Sequence, residues 1–189
     1  MCIVCDGFGY SVEDEGHPLN RYVLAILVSV VAICAAQTRA SAVETRFKVA
    51  GVSMKCTDFR GRSVVGLEVS DLGDVGRAWV VNTVPYILLD PELMRPLPKP
   101  LQVFFYLHEC AHHVLGHWYN PTISSENEAD CWAIVRGRDR KLFRRQEVVD
   151  FAPWLAKSGG SRFGHLPGPE RLKKMLVCFD TQVETARQN

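Results

Sequence analysis

Polar and apolar positions change rhythm several times along the chain. Residues 22–36, YVLAILVSVVAICAA, are apolar without a break. From 43 to about 90, short β-rich runs are punctuated by Gly51, Gly61, Gly66, Gly73 and Gly76, as expected of strands joined by turns. The best strand candidates are 63–70, SVVGLEVS, and 77–90, RAWVVNTVPYILLD, which predict a small sheet. Residues 90–100, DPELMRPLPKP, carry four prolines and are expected to be irregular.

Beyond Pro100 the pattern turns helical. Residues 101–118, LQVFFYLHECAHHVLGHW, contain no proline and are apolar on most sides, which predicts a helix through the middle of a domain, stopped by Gly116 and the YNP at 119–121. A second helix is expected in SSENEADCWAIVRGRDR, where Ser125 and Glu128 have capping-box spacing and would make Glu126 the first helical residue. Residues 140–160 read as a further helical region, interrupted near Pro153 and ended by Gly159 and Gly160. After a turn-rich SRFGHLPGP, a last helix is expected with Pro169 in its first turn. Residues 43–189 thus read as one α+β domain without a dividing linker.

Composition narrows the class. Of 189 residues, 47% are apolar and 23% charged, the balance of a globular protein. A net charge of +1 argues against a nucleic-acid partner. The run at 22–36 would make a helix of about 22 Å, short of the roughly 30 Å hydrocarbon core of a bilayer. With Arg21 before it and the small residues ASA at 40–42 after it, it predicts an export signal cleaved after Ala42, hence a periplasmic or secreted protein. The alternative is an uncleaved anchor through 22–36. A lipoprotein is disfavoured by bulky Ile33 before Cys34. The long acidic stretch ahead of the run does not suit a signal and suggests that translation starts further in. Removing 1–42 raises the net charge to about +3 and leaves Cys56, Cys110, Cys131 and Cys178. These form either two disulfides, with three pairings open, or buried free thiols.

The stretch 106–117, YLHECAHHVLGH, concentrates ionisable groups in an apolar helix. His108 and His112 are four residues apart, about 40° around a helix, so both imidazoles lean over one face and can share a cation. Glu109 would stand beside that ion as a proton acceptor. His113 and His117 lie roughly 100° and 140° around from His112 and are expected to be satisfied internally or to face solvent. A third ligand is offered by ENEAD at 126–130, where Glu126 and Asp130 share a helical face. One can bind zinc while the other accepts the ring proton of a ligand histidine.

HExxHxxxxH from 108 to 117, followed by E-x-x-A-D-C-x-A from 126 to 133, resembles the gluzincin metallopeptidases. It is most similar to the HtpX-type and CAAX-prenyl-protease family and to the small neutral zinc metallopeptidases with an E-x-x-A-D-C signature. The resemblance spans roughly residues 85–178 and implies a minimal zincin-like domain with Zn2+ held by His108, His112 and Glu126, Glu109 as general base and Asp130 behind the ligands. The chain departs from those relatives in the short link of thirteen residues between His112 and Glu126, and residues 43–189 do not offer the several membrane helices expected of the membrane-embedded ones. GHLPGPERL at 164–172 is similar to the family's H-P-x-x-x-x-R stretch, with Leu166 intruding between His165 and Pro167. On that likeness His165 would donate to a developing oxyanion and Arg171 would anchor the loop or the substrate. The other reading is a turn histidine and a surface arginine.

Two histidines and a carboxylate leave a fourth position for water, the mark of a catalytic zinc site. The expected protein is an exported zinc endopeptidase acting on peptide or protein substrates, which the resemblance to gluzincins implies would lie along a sheet edge, with 77–89 as the candidate. The alternative is an inactive zinc-binding relative that binds partners. RGRDRKLFRR at 136–145 is either a weak membrane-surface contact or a solvated face. Trp118, Trp132 and Trp154 are expected in the core.

Overall fold

The computed structural model describes residues 47–156, 158–160 and 164–181. All of them belong to the unit Val43–Asn189. The export signal, anchor and internal start expected in 1–42 lie outside the described residues. Among the described residues no helix is long and apolar enough to cross a membrane.

The architecture is α+β. A hairpin of β1 (Phe47–Val49) and β2 (Val52–Met54), not anticipated from the sequence, precedes a three-stranded sheet of β3 (Val65–Glu68), β4 (Gly76–Val81) and β5 (Val84–Leu89) in the order β3-β5-β4. The run at 77–90 is therefore two strands. Asn82 and Thr83 between them both take positive φ, 47° and 69°, the backbone of a tight hairpin turn. β5 is central, parallel to β3 and antiparallel to β4, and β4 is an edge among the described residues. Along β5, Pro85, Ile87 and Leu89 are buried while Val84, Tyr86 and Leu88 are less so, the two-residue alternation of a strand packed on one face.

Residues 90–100 are not wholly irregular. A single helical turn, α1 (Pro91–Met94), forms there because Asp90 accepts from the backbone N–H of Glu92 at 2.9 Å and proline at the first position loses no needed donor. The long helix α2 (Lys99–Val114) then crosses the domain and buries Leu101, Phe104, Tyr106 and Leu107 against the sheet and the other helices. It ends four residues sooner than the sequence suggested. Gly116, at φ 73°, lets His117 N–H reach His112 O at 2.9 Å and Gly116 N–H reach His113 O at 3.3 Å, a Schellman termination.

The remaining helices are α3 (Ser125–Asp139), α4 (Arg145–Val149), α5 (Ala152–Leu155) and α6 (Gly168–Asp180). The expected capping box is not formed. Ser124 holds the N-cap position and Ser125 opens the helix, its Oγ accepting from Thr122 N–H at 2.9 Å. Glu128 is drawn instead towards His117 and the Ser124 hydroxyl. Small Ala129 and Ala133, both fully buried, let α3 lie close on α2. Of the three tryptophans expected in the core, Trp118 and Trp154 are 42% and 43% exposed, because the turns that carry them lie at the surface, and Trp132 is half-buried.

The cysteines pair as Cys56 with Cys110 and Cys131 with Cys178, with Cα atoms 5.7 and 5.3 Å apart. The first bond ties the 55–63 loop to α2, and the second ties α3 to α6. Asp58 organises that loop, accepting from the backbone N–H of Arg60 at 3.0 Å and of Arg62 at 2.8 Å, and from Arg62 Nε at 2.8 Å. Burial pushes its carboxyl up, but these hydrogen bonds and the Arg62 charge outweigh burial and hold it below the usual range. Asp58→Asn is expected to cost about 1.5–3 kcal/mol at neutral pH, the worth of hydrogen bonds to a charged group. Because the folded pKa is depressed, this contribution is present above about pH 4 and fades as pH falls through the lower folded value. Urea unfolding of both proteins at pH 7 and pH 3 checks it: the gap should narrow in acid.

Candidate metal centre

His108 and His112 sit on the same face of α2, and α3 crosses opposite them. The Nε2 atoms of the two histidines are 3.1 Å apart. Glu126 Oε2 lies 3.1 Å from the first and 3.5 Å from the second. Nitrogen and oxygen donors held tetrahedrally at about 2.0–2.1 Å from a small divalent ion stand about 3.3 Å from each other. The triangle has that size.

His165 joins the group from the turn before α6. Its Nε2 is 2.8 Å from Glu126 Oε2, and its ring lies over His108 at 5.8 Å. The donor atoms of His108, Glu126 and His165 all fall within 4.8 Å of one another, so His165 stands in a turn and also faces this group.

Behind His108 the support is buried and ionic. Its Nδ1–H donates to Asp130 Oδ1 at 2.8 Å. Asp130 is itself gripped by Arg171, with Nε on Oδ2 and a terminal nitrogen on Oδ1, both at 2.7 Å. Arg171 is 6% exposed, so the surface-arginine reading is also corrected: four residues past Pro167, the first turn of α6 carries it inward onto α3. Burial pushes the His108 imidazole down, but the carboxylates of Asp130 and Glu126 outweigh it and hold it up at about 10. Burial likewise opposes ionisation of Asp130 and Glu126; hydrogen bonds from His108 and from Arg171 bring Asp130 down to about 2, and three imidazoles hold Glu126 well below the usual carboxylate range. The same negative potential that favours a proton on His108 favours any cation placed between Glu126 and the imidazoles.

Glu109 faces the start of β4. A side chain at Gly76 would put its Cβ 3.0 Å from Glu109 Cγ and 3.1 Å from Oε1, so the missing side chain is what makes room for the carboxylate. Burial pushes the Glu109 carboxyl up, opposed by the charges of His108 and His112 and by a hydrogen bond from the Ala78 backbone. Nothing in the spacing of glycines before 76 marked this one out; a glycine opening an apolar strand was the available signal.

His113 and His117 do not face solvent. His113 donates Nε2–H to Tyr86 O at 2.8 Å, pinning α2 to β5. His117 is 6% exposed, with Nδ1 3.1 Å from His112 Nδ1 and Nε2 3.2 Å from Glu128 Oε2. An uninterrupted helix would have carried its ring away, but the Schellman turn brings the residue back over His112. Burial pushes both of these imidazoles below the usual histidine range, outweighing the Tyr86 carbonyl at His113 and the Glu128 carboxylate at His117.

The site opens into a cleft of about 720 Å3 between β4 on one side and Thr122, Ser125 and Ser158 on the other. Trp79 and Trp118 meet edge to face at 5.1 Å along its wall. The basic run at 136–145 lies elsewhere and is partly occupied: Arg138 donates to the carbonyls of Phe179 and Thr181 at 2.7 Å, and Arg145 pairs with Asp180 at 2.7 Å. Compared with models of known protein families, with curated proteins and with solved structures, the chain matches none of them.

Proposed function

We propose that this protein is a zinc endopeptidase of the gluzincin kind, built on a minimal zincin-like domain. One observation carries the reading. His108 Nε2, His112 Nε2 and Glu126 Oε2 form a triangle of 3.1, 3.1 and 3.5 Å at the floor of an open cleft, with buried Glu109 next to it. Two imidazoles and one carboxylate suit zinc and leave a position for solvent.

Zinc held there would polarise a peptide carbonyl and make water acidic enough to ionise near neutral pH. Glu109 would accept a proton from the attacking water and pass it to the leaving amine, a role suited to a carboxyl that burial has made more basic. His165 Nε2, aimed into the same space, offers a proton to the carbonyl oxygen as charge develops on it. Asp130 and Arg171 keep the His108 ring oriented with Nε2 towards Glu126 and His112, where a metal would be held. The open edge of β4 beside Glu109 offers backbone groups to a peptide docked as an added strand; β5, inside the sheet, does not. The two cysteine pairs support export to an oxidising compartment, periplasmic or extracellular.

A second reading has an observation of its own. Were His165 to join Glu126 and the other imidazoles as a ligand, the ion would be closed off from substrate and the protein would serve as a metal-stabilised binding module. Metal content per chain tests the ligand set. Dialysed against excess zinc, wild type and Glu128→Ala should hold one equivalent and Glu126→Ala much less, since a ligand oxygen is lost; retention by Glu126→Ala would remove the basis of the assignment.

A further inference from the structure

We infer that His117 and Glu128 form a relay that fixes His112 for metal binding, with His117 Nδ1 accepting the His112 Nδ1–H and Glu128 holding His117 in the tautomer that permits it. The inference rests on the metal-centre reading above and assigns the two residues a positioning role within it. His112 turns Nε2 towards His108 and Glu126, so the lone pair belongs on Nε2 and the proton on Nδ1. At 3.1 Å from that nitrogen stands His117 Nδ1, which can then only accept. The remaining His117 proton sits on Nε2, and Glu128 Oε2 is in place for it at 3.2 Å. The other oxygen of Glu128 accepts from the Ser124 hydroxyl. This set of protons satisfies the His112–His117 and His117–Glu128 contacts with His112 free to ligate, whereas a proton on His117 Nδ1 would not.

The placement follows from the helix end. In a Schellman turn the second residue past the cap packs against the one three before it, and here those are His117 and His112, with rings 5.1 Å apart and nearly perpendicular. Glu126 and Glu128, two apart on α3, project to different sides. One turn of helix thus supplies an oxygen to the ion on one flank of His112 and an anchor for its support on the other. The two histidines are backed unequally: Asp130 behind His108 is buried, whereas the Glu128 side chain is 52% exposed.

Zinc affinity, measured by competition with a chromophoric chelator, tests this. His117→Phe keeps a ring in the turn but has no acceptor, and should bind zinc roughly 10–100-fold more weakly. His117→Gln, whose amide oxygen can accept from His112, should recover part of the loss, and carries the test if the phenylalanine protein does not fold. Glu128→Ala should lose less than His117→Phe, while binding one equivalent at saturation. Side-chain 15N spectra of the zinc-loaded protein should show His112 protonated on Nδ1 and His117 on Nε2. Affinity for His117→Phe equal to wild type, or His117 protonated on Nδ1, overturns the relay and leaves the metal centre standing. No difference between wild type and His112→Ala, neither binding zinc, overturns the metal centre and the relay with it.

Discussion

Glu109→Gln is expected to lower kcat/KM for peptide hydrolysis by roughly 10²–10⁴-fold, the range a positioned proton acceptor supplies, while zinc content stays that of wild type. The amide is almost the same size, so the close contact with Gly76 and the hydrogen bond from the Ala78 backbone can persist. What it cannot do is take a proton from water. Mass spectrometry of a mixed-peptide library incubated with each protein reads the result. Equal cleavage by both would show that Glu109 is not the base, and no cleavage by either at full zinc occupancy would favour the binding module.

The second large effect concerns stability. Arg171→Met should destabilise the fold by about 3–5 kcal/mol, the range for removing one partner of a buried ion pair. Asp130 is 5% exposed and would lose both of its guanidinium hydrogen bonds, leaving a carboxylate with His108 as its remaining partner. Methionine retains much of the volume beside Phe104, over whose ring the guanidinium now lies at 5.8 Å, so packing alone would cost far less. Adding Asp130→Asn to Arg171→Met should restore part of the loss, because the uncompensated charge is then gone. Urea titrations of the wild type, both single variants and the double variant measure this. Strict additivity would mean that the two side chains do not act as a pair.

How much of the site could be read along the chain depends on how local each relation is. His108 and His112 fall on one face because four residues nearly complete a helical turn, and the same holds for Glu126 and Asp130. His117 resisted this arithmetic since the helix stops at Val114, and the angle computed for an unbroken helix no longer applies. The capping box failed for a related reason: Glu128 has the right spacing from Ser125, but His117 and Ser124 offer it better partners once the turn has folded back. Arg171 stayed open between an anchoring role and a surface position because nothing in its sequence neighbours announces that it points at α3.

Spacing and residue type along the chain were enough to settle the α+β class, the central helix, and the pairing of ligand-type residues within each helix, because helical and strand periods are set by backbone geometry over a few residues. Contacts between segments far apart in sequence were not: the order β3-β5-β4 that leaves β4 at the edge, the choice of Cys110 for Cys56 and Cys178 for Cys131, the seating of Glu109 under Gly76, and the arrival of His165 and Arg171 from α6's end of the chain. Each of those depends on which surfaces pack together, and packing is decided by the shape and burial of whole faces rather than by any one residue's neighbours in sequence.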